Sequence, residues 1–349
     1  MSSVNAPESL KLEKKYPQIV NHLRKRINNG KLSGALPGVK QLAKEYDANF
    51  MTVNKAVKVL EAEGLVYRVP RKGTYVKRIK NIAFCFQGSD LELRIDSVFA
   101  GMFIAAQRYL SGQNCPMFLE SSMSIRKQSM QMLKNRIDGM IFSGDPADVI
   151  SGDMQSLPLV RVLGEVNPED HYDHVGYSNR DIGVLAARFI LKHGHRHIAY
   201  IGDQIPPRFV ERRDTFIQTA EQRGARVEFS PYEASTWEPR CKNIALQMKH
   251  IFGKDIKDRP TAIFCPSDNE IGMIYDNLYK SGLSPMRDIL IVSCNYDIMM
   301  LGYCDPAPVS IDIRMEDIGT MAAQRMLERI NDPELERRID ILKPVIINR

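Results

Sequence analysis

Side chains able to do chemistry at regular spacing lie between residues 49 and 72. If Val53, Ala56, Val57 and Leu60 face a core at helical spacing, Asn49, Thr52, Asn54, Lys55 and Lys58 are left on the outer face of the same helix. Asn can pair bidentately with adenine, Thr can bond a base edge or pack on a thymine methyl, and Lys suits phosphate or guanine. The start of such a helix also points free N–H groups at phosphate. Arg71 and Lys72 follow in Pro70-Arg71-Lys72-Gly73, a turn with two cations at its tip.

Elsewhere the chemistry is thinner. His193, His195 and His197 alternate, as ligands on one strand face would. The stretch His193-Gly194-His195-Arg196-His197 reads instead as a helix-to-strand turn, with no carboxylate or Cys at ligand spacing, so no metal is expected. No phosphate loop ending in Gly-Lys-Ser/Thr, no full Gly-x-Gly-x-x-Gly and no Gly-x-Ser-x-Gly occurs. Neither an enzyme nor a cofactor is expected on those grounds. Trp237, beside Pro239 in a polar loop, reads as a packing anchor or a stacking face. The pair Met299-Met300 reads as core filler.

The elements that must position the outer helix face can be read on either side of it. Ile19, Val20, Leu23 and Ile27 define a first helix that stops at Asn28-Asn29-Gly30. Val39, Leu42, Ala43 and Tyr46 define a second helix, and the third ends at Gly64. Two β-rich pieces follow, Leu65–Val69 and Thr74–Val76, around the cationic turn. Three helices and a hairpin make a winged helix-turn-helix (α+β) over residues 1–78. From residue 79 the rhythm changes to strand–helix alternation, with strand-length apolar runs at 82–86, 116–119, 139–142, 159–163, 198–201, 262–265 and 290–292. Amphipathic helical stretches separate them, among them 98–110, 130–136, 181–192 and 213–222. About 270 residues of this pattern is more than one small sheet needs, so residues 79–349 are expected to form two α/β lobes with parallel sheets. Ligands of such lobes bind beyond the carboxyl ends of the strands.

Charge separates the two parts. Residues 1–80 hold 17 Lys and Arg against 6 Asp and Glu, a net of +11, whereas the remainder carries −5. A basic head on an acidic body fits a head that meets a polyanion. No run of about 18 uncharged apolar residues exists, so no membrane span is expected. Met1–Lys15 lacks an apolar core of signal-peptide type, and the six cysteines form no Cys-x-x-Cys pair. Both observations fit reduced thiols in a cytoplasmic protein.

The order of motifs carries a resemblance. Leu36-Pro37-Gly38-Val39-Lys40-Gln41-Leu42-Ala43, Met51-Thr52-Val53-Asn54-Lys55-Ala56, Leu60–Val66 and Arg71–Val76 together resemble the GntR-type winged-helix regulators from about Tyr16 to Val76. The resemblance implies that Lys40 stands where that family touches DNA with an arginine, and that Asn49–Ala56 opens the recognition helix. Phe50 and Asn54 replace two of the family's arginines there. The DNA-binding set is thus Lys40, Asn49, Phe50, Thr52, Asn54, Lys55, Arg71 and Lys72, and the partner is double-stranded operator DNA.

Residues 81–349 resemble the LacI-type regulator core, built like periplasmic sugar-binding proteins, through Arg136–Ile141, Lys192–Gly202, Pro260–Cys265 and Ile318-Gly319. The combination is similar to arabinose-responsive repressors. Carried over position by position, the resemblance implies an effector site of Phe86, Arg94, Ser143, Arg212, Asp268, Asn295 and Tyr296, with Tyr177-Ser178-Asn179 as a neighbouring element. Arg and Asp with an aromatic suit a polyhydroxylated ring, by paired bonds to vicinal hydroxyls and by stacking. The expected effector is a sugar-like molecule; a purine or other metabolite is the alternative, because both ligand types occur on this core. The resemblance also implies a homodimer held by the core around helices 97–109 and 125–135. Two further readings stay open: a solute-binding module without a DNA role, and an α/β enzyme with an accessory nucleic-acid domain.

Overall fold

In the N-terminal part, three short helices bury one stripe each against the others. They are α1 (Lys15–Asn28), α2 (Val39–Glu45) and α3 (Phe50–Ala62). A computed structural model of the chain describes residues 15–28, 31–32, 34–76, 80–86, 97–121, 137–144, 157–202, 207–230 and 237–348. It divides into two units, residues 1–80 with 114–116, and residues 81–113 with 117–349. Ile19, Leu23, Leu42, Val53, Val57 and Leu60 meet in the head's core with Val66 and Val76 of the hairpin. The hairpin strands β1 (Val66–Val69) and β2 (Gly73–Val76) are antiparallel, Val66 opposite Val76 and Val69 opposite Gly73. Their turn needs left-handed backbone at Arg71 (φ 63°) and at Gly73 (φ 124°), and the second value explains the glycine.

The larger unit holds two six-stranded sheets. The first contains β3 (Ile82–Phe86), β4 (Met117–Ser121), β5 (Gly139–Phe142), β6 (Leu159–Val162), β7 (Asp173–Tyr177) and β13 (Ile339–Leu342), in the order β13-β7-β6-β5-β3-β4 and parallel throughout. The second contains β8 (His197–Tyr200), β9 (Arg226–Phe229), β10 (Ala262–Phe264), β11 (Leu290–Cys294), β12 (Val309–Asp312) and β14 (Val345–Ile347), in the order β14-β12-β11-β10-β8-β9. Only β14 runs antiparallel, against β12. The central strands are buried on both faces, which is why they read as unbroken apolar runs. Strands β7, β9, β12, β13 and β14 escape the periodicity reading, because they are short, interrupted by polar residues or at a sheet edge.

Helices flank the sheets: α4 (Ser97–Gly112), α5 (Asn179–Lys192), α6 (Pro207–Glu221), α7 (Trp237–Phe252), α8 (Ile271–Lys280), α9 (Ile298–Leu301) and α10 (Met315–Asn331). Trp237 therefore opens a helix rather than lying in a loop, and Met299 is 70% exposed rather than core filler. The stretch 130–136 lies outside the described residues. The chain passes between the lobes three times. After β12 it returns as α10 against α4, β5, β6 and β7, and β13 then completes the first sheet before β14 completes the second. Buried Asp173 anchors that return through Arg325 and Arg329, each with an N–O distance of 3.0 Å, and accepts the Arg338 backbone N–H at 2.7 Å. Burial pushes this carboxyl up, but the bonds from Arg329, Arg325 and Arg338 outweigh it and hold it below its ordinary value.

Candidate nucleic-acid interface and effector site

In the head, α3 begins where Asn49 caps it, its side-chain oxygen accepting the Thr52 N–H at 2.7 Å. The following residues split between surface and core. Phe50 is 50% and Met51 72% exposed, and Lys55 and Lys58 are exposed, whereas Thr52 is only 6% exposed. The sequence reading placed Thr52 outside, and the structure corrects this. Helix α3 packs against both α1 and α2, so its buried arc is wider than the four-residue apolar stripe and takes in Thr52. Asn54 is half-buried and accepts a bond from Arg68 at 2.9 Å. The Lys55 ammonium lies 4.3 Å from the centre of the Tyr16 ring, an arrangement that holds it by cation–π attraction.

A groove of about 470 Å³ runs along this face, lined by Tyr16, Asn49, Met51, Thr52, Asn54, Lys55 and Lys58. Lys40 stands exposed near the start of α2, and Arg71 and Lys72 are exposed on the hairpin turn. Of the eight residues expected to meet DNA, Asn49 through Lys55 are thus gathered on one short helix start, with Lys40 and the turn cations on neighbouring elements. Tyr16 was not anticipated; its only sequence signal was an aromatic residue at the edge of the first apolar stripe.

In the second lobe, the residues expected to meet an effector collect beyond the carboxyl ends of β10 and β11. Arg212 is buried to 1% exposure on α6, where its Nε donates to Asn179 Oδ1 at 2.8 Å, Nη1 to the Pro266 carbonyl at 2.6 Å and Nη2 to the Tyr177 hydroxyl at 2.8 Å. Asp268, also 1% exposed, accepts the Asp297 N–H at 2.8 Å and the Ser310 hydroxyl at 3.3 Å. Burial raises its carboxyl to about 7, against the opposing pull of Ser293, the Asp297 N–H and Ser310. Asn295 and Tyr296 follow β11 with φ of 110° and 54°. The Asn295 amide donates to Ser267 Oγ at 3.2 Å, and the Tyr296 N–H donates to Ser310 Oγ at 3.1 Å. Two successive left-handed residues at a strand end are costly and persist only when fixed by such bonds. Asn269 Oδ1 and Asp297 Oδ2 are buried with no hydrogen-bond partner among the described residues. The framing serines 293 and 310 had one signal in sequence, a polar residue inside otherwise apolar strands.

In the first lobe, Phe86 and Ser143 end neighbouring strands, and the Ser143 N–H donates to the Cys85 carbonyl at 2.9 Å. Phe86 does not stand free as a stacking face: it is 4% exposed and packs on Phe99 with ring centres 5.1 Å apart. Arg94 lies outside the described residues, as does the expected helix 125–135. The three turn histidines go to three different partners: His193 to the Phe189 carbonyl, His195 to Thr261 Oγ1 and His197 to Glu228, each at 2.9 Å. Cys85, Cys115, Cys265, Cys294 and Cys304 are buried.

Comparison with known proteins places both halves. Residues 15–76 match the bacterial regulatory proteins of the gntR family, and residues 187–349 match the periplasmic binding protein-like domain. The HTH-type transcriptional repressor PurR of Aliivibrio fischeri (strain MJ11) is 25% identical over 259 residues, covering 72% of this chain and 76% of its own. The arabinose metabolism transcriptional repressor of Halalkalibacterium halodurans is 22% identical over 357 residues, covering 96% of this chain and 89% of its own. The transcriptional regulator CelR, solved with cellobiose, shares the fold with a TM-score of 0.64 at 18% identity, over 90% of this chain and 99% of that one. The chain is therefore a transcription regulator and not an enzyme. It carries a GntR-family helix-turn-helix head on a periplasmic-binding-protein-like core of the LacI type, and is a distant homologue of the arabinose repressor and PurR.

Proposed function

We propose that this regulator is a cytoplasmic homodimeric repressor that binds a two-fold operator through its heads and is controlled by a sugar-like effector in its core. The carrying observation is the Arg212 guanidinium, buried at the strand ends and oriented by Asn179, Tyr177 and the Pro266 carbonyl. Three of its five N–H donors are fixed by protein acceptors. Ring hydroxyls would take donors from the same fork, and the buried acceptors Asn269 Oδ1 and Asp297 Oδ2 would receive their hydrogens. The arabinose-metabolism name of a relative aligned over 96% of this chain supports the sugar reading. The second reading, a purine effector, is favoured by the PurR relatives, whose identity is slightly higher over less of the chain.

Thermal shift of the full chain against pentoses, hexoses, oligosaccharides and nucleobases separates the two, because a ligand that binds only the folded state raises its melting temperature. A sugar is expected to raise it; a shift from a purine alone would reject the sugar. Arg212→Ala is expected to abolish that shift while leaving a gel shift with the DNA upstream of its own gene unchanged. Repression predicts that the effector releases this DNA, and an effector that tightens binding would reverse the sign of control.

A further inference from the structure

The head offers DNA an unusual set of side chains. Four arginines lie among its described residues, and three are paired with carboxylates at the surface. Arg24 forms a two-pronged bond with Glu63 at 2.6 and 3.1 Å, Arg26 pairs with Glu45, and Arg68 binds Glu61 at 3.1 Å and Asn54 at 2.9 Å. A guanidinium whose fork is filled by a carboxylate cannot also grip the two acceptors of guanine. The asparagines are committed as well. Reading adenine bidentately needs both the oxygen and the nitrogen of the amide, but Asn49 spends its oxygen on the Thr52 N–H and Asn54 spends its own on Arg68. Thr52 is largely buried.

What remains at the tip of α3 is apolar. Phe50 and Met51 occupy its first turn with half and nearly three-quarters of their surface exposed, an arrangement the head's own folding does not require. In a helix-turn-helix the first turn of the second helix meets the base edges in the major groove. The apolar feature that the major groove offers is the thymine C5-methyl. Lys55, Lys58 and Lys40 flank the pair with the positive charge that seats a helix on phosphates.

Resting on the DNA-binding role given above, we infer that Phe50 and Met51 are the specificity-determining residues of the head. They read thymine methyl groups, so the operator half-site is defined there by thymine rather than guanine.

The test selects duplexes from a random library with the full-length protein. It then replaces each selected thymine with deoxyuridine, which removes only the methyl. Burying one methyl is worth about fourfold in affinity. A loss of that size is expected at one or two positions per half-site in the unmodified chain. It should vanish at one position in Phe50→Ala or Met51→Ala, with the salt dependence of binding unchanged. Both side chains are surface residues, so the variants should retain the unmodified chain's melting curve. Deoxyuridine tolerated within twofold at every position would overturn the inference, as would uridine sensitivity that survives in both variants. Recovery of no preferred sequence at all would remove the inference together with the sequence-specific DNA role on which it rests.

Discussion

Asp268 is held between opposing demands. It is buried where a charge is costly, yet Ser310 and the Asp297 N–H donate to it as they would to a carboxylate. Because burial lifts it to about 7, above its unfolded value, the native state binds the proton more tightly than the unfolded chain does. The stability this contributes is complete in acid and is lost as pH rises through about 7. Asp268→Asn keeps the acceptor oxygen and removes the titration. The melting temperature of the unmodified chain minus that of the variant should therefore fall between pH 5 and pH 8. A difference independent of pH would mean that the native carboxyl titrates in the ordinary range. Tyr296, the second residue of the left-handed pair, donates its N–H to the same Ser310 that bonds Asp268, whereas Asn295 bonds Ser267.

At the scale of elements, the proposed effector site depends on how closely α5 and α6 approach. A Cβ added at Gly183 of α5 would strike Thr215 Oγ1, the Arg212 carbonyl and the Phe216 nitrogen, all on α6. Gly183→Ala must push apart the two helices that bring Asn179 to Arg212. It is expected to cost about 1–3 kcal/mol, as overpacking does, and to weaken the ligand-induced thermal shift. Gly272→Ala, in open space on exposed α8, should leave melting unchanged or raise it, at up to about 1 kcal/mol of helix propensity. Calorimetry on the pair separates packing from the loss of a glycine. The hairpin makes a different prediction. Arg71 and Lys72 reach phosphate in the proposed complex, so changing either to Ala should weaken binding to all sequences alike. Each change should lower the slope of log affinity against log salt by roughly 1.

For the molecule as a whole, assembly is the property with the largest consequence, since the proposed two-fold operator requires two heads. The first lobe exposes Ile104 on α4 and Phe118 and Leu119 on the edge strand β4 at 39–51%. An apolar patch on an edge strand is commonly covered by a partner. Light scattering is expected to find a dimer for the unmodified chain and a monomer for Ile104→Asp combined with Phe118→Asp, with operator affinity falling as the second head is lost. A dimer that survives both changes would move the interface elsewhere on the core.

The linear order of residues was enough for the head's three helices and hairpin and for the central strands β3, β5, β10 and β11. Each rests on local periodicity, turn chemistry or an unbroken motif, which operate within a few residues of chain. The rest depends on contacts that no local pattern records. Thr52 is buried because two helices pack on α3 rather than one. The Arg24 guanidinium is taken up by a carboxylate 39 residues away. The three acceptors that orient Arg212 come from positions 33, 35 and 54 residues distant. Strands β13 and β14 escape the local pattern and form only because the chain's return between the lobes gives each a sheet to complete. The apolar stripe of each helix is set by local sequence; which of the remaining side chains stay outside, and which of those still have a free hydrogen-bonding edge, is settled only when distant segments pack, because a buried polar group must find its partner wherever the fold supplies one.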